Sequence, residues 1–187
     1  MERRNFVRNI GAGALFLGLG GVSYAFDKDR NKDKIKKYKK HITILHTNDT
    51  HSHIDPMPSD DPHYPDKGGV ARRAVLVEQV RRENPNTLLF DAGDIFQGTP
   101  YFNYYGGELE FRLMSMLKYD AATFGNHDFD NGIEGLLFQM PHAKFDFISS
   151  NYDFTNTVLE GKTKPYKVFE VDEVRIGVYG LGVELKG

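Results

Sequence analysis

The sequence predicts an α/β fold, and two observations carry that reading. Short apolar, β-branched-rich runs at residues 41–45, 87–90, 121–124 and 145–149 alternate with stretches of helical periodicity. Three of those runs also end at once in a cluster of Asp, His and Asn, at residues 46–53, 91–94 and 125–130. Ligands of open α/β sheets bind outside the carboxyl ends of the strands. Three strands that each deliver ligand-type side chains to one end of a sheet therefore predict a site there. The chain of 187 residues is long enough for one domain with a core of its own.

Each element has its own signal. Residues 41–45 form the first strand, with Asp49 and His51 just beyond it. Side chains two apart on an extended segment share a face, so this Asp-x-His pair suits two ligands of one ion. His53 is not expected to be a direct ligand. Residues 54–67, rich in Pro and Asp, read as a loop in which His63 has no ligand role. Gly68 and Gly69 lead into a helix whose inner face is Val70, Ala74, Val77 and Val80, with Arg72, Arg73, Arg81 and Arg82 turned to water. Pro85 stops it, because the residue before a proline avoids the α conformation.

The second strand, 87–90, is followed by Asp91-Ala92-Gly93-Asp94. The small residues allow a sharp turn that projects Asp94 over the sheet end, whereas Asp91, nearer the strand, suits a structural role equally well. Residues 97–100 read as irregular. A helix is expected over 107–118, burying Leu109, Leu113, Met116 and Leu117, with its methionines as core filler. The third strand, 121–124, runs into Gly125-Asn126-His127-Asp128-Phe129-Asp130. Ile133, Leu136 and Leu137 mark a short helix, and residues 145–149 a fourth strand. Residues 166–171 and 174–179 flank Asp172-Glu173 as a two-residue hairpin.

Composition excludes several functions. A net charge of −2 points to no polyanionic partner, so no nucleic-acid polymer is expected. The absence of cysteine removes disulfides, thiolate metal sites and a cysteine nucleophile. Residues 1–25 read as an export signal: Arg3-Arg4-Asn5-Phe6, then an uncharged Gly/Ala/Leu-rich run over 10–22, then Ser23-Tyr24-Ala25 as a small-x-small cleavage site. The paired arginines resemble a twin-arginine signal. The apolar run is short for a bilayer span, so no stable membrane anchor is expected. Residues 26–41 read as a charged, solvated linker. These features place the mature protein in the periplasm or cell envelope.

Together, Asn48-Asp49-x-His51, Gly93-Asp94 and Gly125-Asn126-His127-Asp128 resemble the first three signature blocks of the calcineurin-like metallophosphoesterases. The fuller strings, including Gln97-Gly98-Thr99-Pro100 and Phe129-Asp130, resemble the 5'-nucleotidase branch. The resemblance implies that residues 42–187 are the N-terminal portion of a metallophosphoesterase α-β-β-α sandwich. Two divalent ions, Zn or Mn, are implied as cofactors. Asp49 and His51 would hold the first, Asp94 would bridge both, and Asn126 would hold the second. His127, with Asn126, would meet the substrate, and Asp130 would orient His127. The implied reaction is attack of a metal-bound hydroxide on the phosphorus of a nucleotide, of the 5'-nucleotidase or 2',3'-cyclic-nucleotide phosphodiesterase type.

The same resemblance leads one to expect three further ligands, a lone histidine and a Gly-His-x-His motif, downstream of the matched region. His142 is out of pattern. The 187 residues thus resemble the first half of a catalytic domain, with the branch's nucleotide-gripping domain elsewhere, on the same chain or a separate one. Two other readings stay open: an inactive nucleotide- or phosphate-binding fragment, and a relative resembling the thiosulfohydrolases of the same fold.

Overall fold

The computed structural model describes residues 39–184. The expected signal and most of the expected linker, residues 1–38, lie outside the described residues. The elements run in the order β1 (Thr43–Thr47), α1 (Val70–Glu83), β2 (Thr87–Asp91), α2 (Pro100–Tyr105), α3 (Glu108–Met116), β3 (Ala121–Ala122), α4 (Gly132–Gln139), β4 (Asp146–Phe147), β5 (Tyr166–Val171) and β6 (Val174–Tyr179). Single 3-10 turns cover His127–Phe129 and Met140–His142.

Strands β1 to β4 form one parallel sheet in sequential order. Parallel neighbours need a crossover, and α1, the α2–α3 pair and α4 supply the three. All four carboxyl ends therefore lie along one edge, as the strand-then-cluster pattern implied. β5 and β6 pair antiparallel across Asp172-Glu173, whose φ values of 49° and 64° are those of a tight primed turn. The hairpin matches its sequence reading to the residue.

The core lies between the sheet and its helices and is largely aromatic. Phe124 stacks on Phe147 with centroids 5.0 Å apart, and Phe111 bridges Phe147 and Phe96 at 5.1 and 4.8 Å. Leu89, Ile95, Leu136 and Leu159 close the gaps between them. No helix among the described residues is long and apolar enough to cross a membrane.

Several expectations need correction. β1 runs 43–47, two residues later than the apolar run, because its ladder pairs Thr43 with Thr87 and Thr47 with Asp91. It is covered on one side only, since Ile44 is exposed. β3 and β4 are shorter than the apolar runs around them. The stretch after Thr99 is a helix: Pro100 starts it, and Gly106, at φ 62°, ends it. Gly107, at φ 106°, then restarts the chain as α3.

That restart sets the phase of α3. Its inner face is Glu110, Phe111 and Met114, with Leu117 at the cap, and Met116 is 75% exposed. The stripe 110–114–117 is helical in spacing, but a glutamate on it hides it from a hydrophobicity reading. Nor are all the α1 arginines solvated. Arg81 donates to the carbonyls of Leu117 and Lys118 at 2.6 and 2.7 Å, and Arg73 reaches the Tyr119 hydroxyl at 3.4 Å.

Candidate metal centre

The loop after β1 is held against the turn after β2 by backbone bonds. The N–H groups of Asp49, His51 and Ser52 donate to the carbonyls of Gly93, Asp94 and Ile95 at 2.9, 3.0 and 2.9 Å. Asp49, His51, Ser52 and Asp94 all have φ between 44° and 55°. Non-glycine residues rarely adopt this region, and its cost is tolerated where surrounding structure enforces it. The expected extended Asp-x-His segment is thus a left-handed loop, and the loop itself turns the two side chains to one point.

That point is shared by Asp94. One ligand atom each from Asp49, His51 and Asp94 lies within 4.8 Å of the others. His51 Nε2 is 3.8 Å from Asp49 Oδ1 and 3.9 Å from Asp94 Oδ2. Two ligands each bound at about 2.0–2.2 Å to one ion can be at most about 4.4 Å apart, so both separations fit a common ion. His51 Nδ1 lies 3.3 Å from the Phe96 carbonyl. A carbonyl can only accept, so Nδ1 is the donor in this contact, and Nε2 is the ring nitrogen that faces the two carboxylates. Backbone carbonyls commonly orient metal-binding imidazoles in this way. Hard carboxylates with an imidazole suit a divalent ion of the zinc or manganese kind.

The third cluster closes over Asp94. The His127 N–H donates to Asp94 Oδ1 at 2.9 Å, which leaves Oδ2 on the His51 side. A Cβ on Gly125 would lie 2.1 Å from Asp94 Oδ1, and one on Gly93 would lie 2.3 Å from the Gly125 nitrogen. Only glycine at both positions lets the turns pack this closely. The His127 ring meets the His51 ring edge-on at 5.2 Å. Its Nδ1 is 3.0 Å from Asp130 Oδ2, and this hydrogen bond raises the imidazole's pKa above its ordinary value. Asn126 stands exposed at the start of the His127–Phe129 turn. His53 and His63 are exposed outside the group, and His142 faces Glu108 on α3 at 3.9 Å.

Two buried carboxylates frame the site. Asp128, 2% exposed, accepts the backbone N–H groups of Asp94, Ile95, Phe96 and Gly125 at 2.9 to 3.1 Å. Burial nevertheless pushes it up to about 6. The sequence reading assigns Asp128 no structural role; its place after a Gly-Asn-His turn is the signal that could have found it. Asp91 resolves as structural. It accepts from Thr47 Oγ1 at 2.6 Å and from the Gly93 N–H at 2.9 Å, and burial pushes it up to about 7.

A parallel α/β sheet whose strand ends gather two carboxylates and an imidazole, with a His–Asp pair alongside, is the arrangement of a candidate metal centre. The chain belongs to the calcineurin-like phosphoesterase family, whose model matches residues 42–180. It is 42% identical over 147 residues to human 5'-nucleotidase, covering 74% of this chain and 26% of that protein. To the snake venom 5'-nucleotidase of Naja atra it is 40% identical over 146 residues, covering 74% and 28%. Among solved structures it is similar to a 5'-nucleotidase precursor from Thermus thermophilus, with a TM-score of 0.70 at 40% identity, over 75% of this chain and 28% of that one. The chain thus spans about a quarter of the length of these relatives.

Proposed function

We propose that the protein is a metal-dependent phosphoester hydrolase acting on nucleotides, of the 5'-nucleotidase or 2',3'-cyclic-nucleotide phosphodiesterase type. The observation that carries this reading is the convergence of His51 Nε2 on Asp49 and Asp94. Asp49, His51 and Asp94 would hold one divalent ion, and Asp94 with Asn126 would serve a second. Such ions, when bound, make water acidic and neutralise charge on a phosphoryl group.

The chain's own groups do the rest. The Asp130 carboxylate holds the Nδ1 proton of His127. A protonated His127 then offers Nε2–H to the phosphoryl oxygens or the leaving group, the role of a general acid. Family membership, the nucleotidase relatives and the near-neutral charge together support a nucleotide substrate and no polymer. Arg3-Arg4 and Ser23-Tyr24-Ala25 support export to the periplasm or cell envelope.

The test is release of inorganic phosphate from AMP and p-nitrophenyl phosphate by the purified protein loaded with Mn²⁺ or Zn²⁺, with a chelated control. Metal-dependent release is expected where the three downstream ligands are supplied, on the same chain or a separate one. Metal binding with no hydrolysis of any phosphoester would leave an inactive binding module. Hydrolysis of a thiosulfonate ester instead would assign a thiosulfohydrolase.

A further inference from the structure

Beneath the loop that carries His51 lies a cavity of about 20 Å³, lined in part by Ser52, Arg73, Glu110, Met114 and Tyr119. Glu110 is 3% exposed and Ser52 1% exposed. Neither Glu110 carboxylate oxygen nor the Ser52 hydroxyl has a hydrogen-bond partner among the described residues. A buried carboxylate without partners is costly, and native proteins satisfy nearly all such groups. The cavity has the volume for one water, and the groups around it include more than the two polar partners a buried water needs.

Those residues are one end of a longer polar seam. Arg73 donates to the Tyr119 hydroxyl at 3.4 Å, Tyr119 lies 2.7 Å from Thr47 Oγ1, and Thr47 donates to Asp91. Asp91 in turn accepts from Gly93, one residue before Asp94. Ser52, at the cavity end with Arg73 and Glu110, follows His51 directly, and its backbone N–H is tied to the Ile95 carbonyl. The seam thus runs from the cavity beneath the His51 loop to the turn that carries Asp94.

We propose that a single buried water in this cavity bridges the Glu110 carboxylate to the Ser52 hydroxyl, making Glu110 a positioning residue for the metal centre. Arg73 lines the same cavity, and its positive charge disfavours a cation in the water's place. The bridge ties α3 to the His51 loop and fixes that loop's left-handed backbone against the Asp94 turn. This inference rests on the metal centre proposed above.

The test reads metal affinity in the full chain, not turnover. Free Mn²⁺ is titrated by electron paramagnetic resonance for the wild type, Glu110→Leu, Glu110→Gln, Ser52→Ala and the Ser52→Ala/Glu110→Leu pair. Partners behind metal ligands typically carry about 10- to 100-fold in affinity, so Glu110→Leu and Ser52→Ala are each expected to weaken binding about tenfold. The pair should be no weaker than either alone, because both remove the same bridge. Glu110→Gln, which keeps a polar group on the water, should recover most of the affinity. If Glu110→Leu does not fold, Ser52→Ala carries the measurement. Single variants that bind Mn²⁺ as the wild type does, whatever their thermal stability, overturn the inference alone. A wild type that binds no Mn²⁺ overturns the metal centre as well. An atomic-resolution crystal structure should show one ordered water in contact with Glu110 and Ser52, and a cation or no ordered density there would refute the bridge.

Discussion

The backbone N–H of Asp94 donates to the Asp128 carboxylate at 3.0 Å. The proposed bridging ligand is therefore held by a buried carboxylate, not only by its own strand. Asp128 takes four N–H donors from two turns, which makes it the point where the second and third clusters are joined.

Removing that point should be costly. In Asp128→Ala, buried N–H groups of the Asp94 and Gly125 turns lose their acceptor, and each unsatisfied group costs about 1–3 kcal/mol. We expect a loss of about 3 kcal/mol or more in urea unfolding, and weaker metal binding in whatever still folds. Asp128→Asn keeps one acceptor oxygen and should lie between. A stability change under about 1 kcal/mol for Asp128→Ala would show that water reaches these donors.

Asp91 makes a pH prediction. Burial raises its folded-state pKa to about 7, above the unfolded value. The folded state therefore binds this proton more tightly. The resulting stability is fully present below about pH 4 and is lost as pH rises toward 7. A shift of this size is worth on the order of 4 kcal/mol. Asp128 acts in the same direction, toward about 6. Metal-free protein should thus lose stability between about pH 4 and about pH 7. Asp91→Asn, which can still accept from Gly93, should lose distinctly less over that interval. Equal slopes for the two proteins would mean that Asp91 is ionised at little cost.

The parts of this architecture that rest on local pattern were legible in the sequence. Strand ends followed by Asp, His or Asn named one edge of a sheet, and Asp172-Glu173 between alternating runs named the hairpin. The left-handed loop at Asp49, His51 and Ser52 was not legible, because nothing in those side chains demands positive φ. The backbone bonds to Gly93, Asp94 and Ile95 impose it from another strand. The phase of α3 was obscured for a related reason. Glu110 occupies a core position, 3% exposed, that a hydrophobicity reading assigns to water. The Pro100–Tyr105 helix, by contrast, carried its signals openly in Thr99-Pro100 and Gly106.

Asp94 is the proposed ligand common to both ions, so Asp94→Asn should damage the centre more than Asp49→Asn, His51→Ala or Asn126→Ala. An amide keeps a hydrogen-bond acceptor for the His127 N–H but loses the charge that attracts two cations. Metal content per chain, measured after extensive dialysis, should fall furthest in this variant, with hydrolysis falling alongside it. Two retained ions and near-normal activity would remove the bridging role.

His127 should separate from the ligands by a different signature. Its ring is held by Asp130 through Nδ1 and stands edge-on to His51, and the task proposed for it is toward substrate charge and not toward the ions. His127→Ala should bind Mn²⁺ as the wild type does while turnover falls about 10²- to 10⁴-fold, the usual contribution of a positioned proton donor. Asp130→Asn should give a smaller loss, because the imidazole remains but its orientation is looser. The loss should weigh on kcat more than on KM, since a proton delivered to a leaving group acts in the transition state. A substrate with an acidic leaving group, such as p-nitrophenyl phosphate, needs that proton less than AMP does, so His127→Ala should be less damaging on it. Equal losses on both substrates would place His127 on the phosphoryl oxygens, and loss of bound metal would make it a ligand.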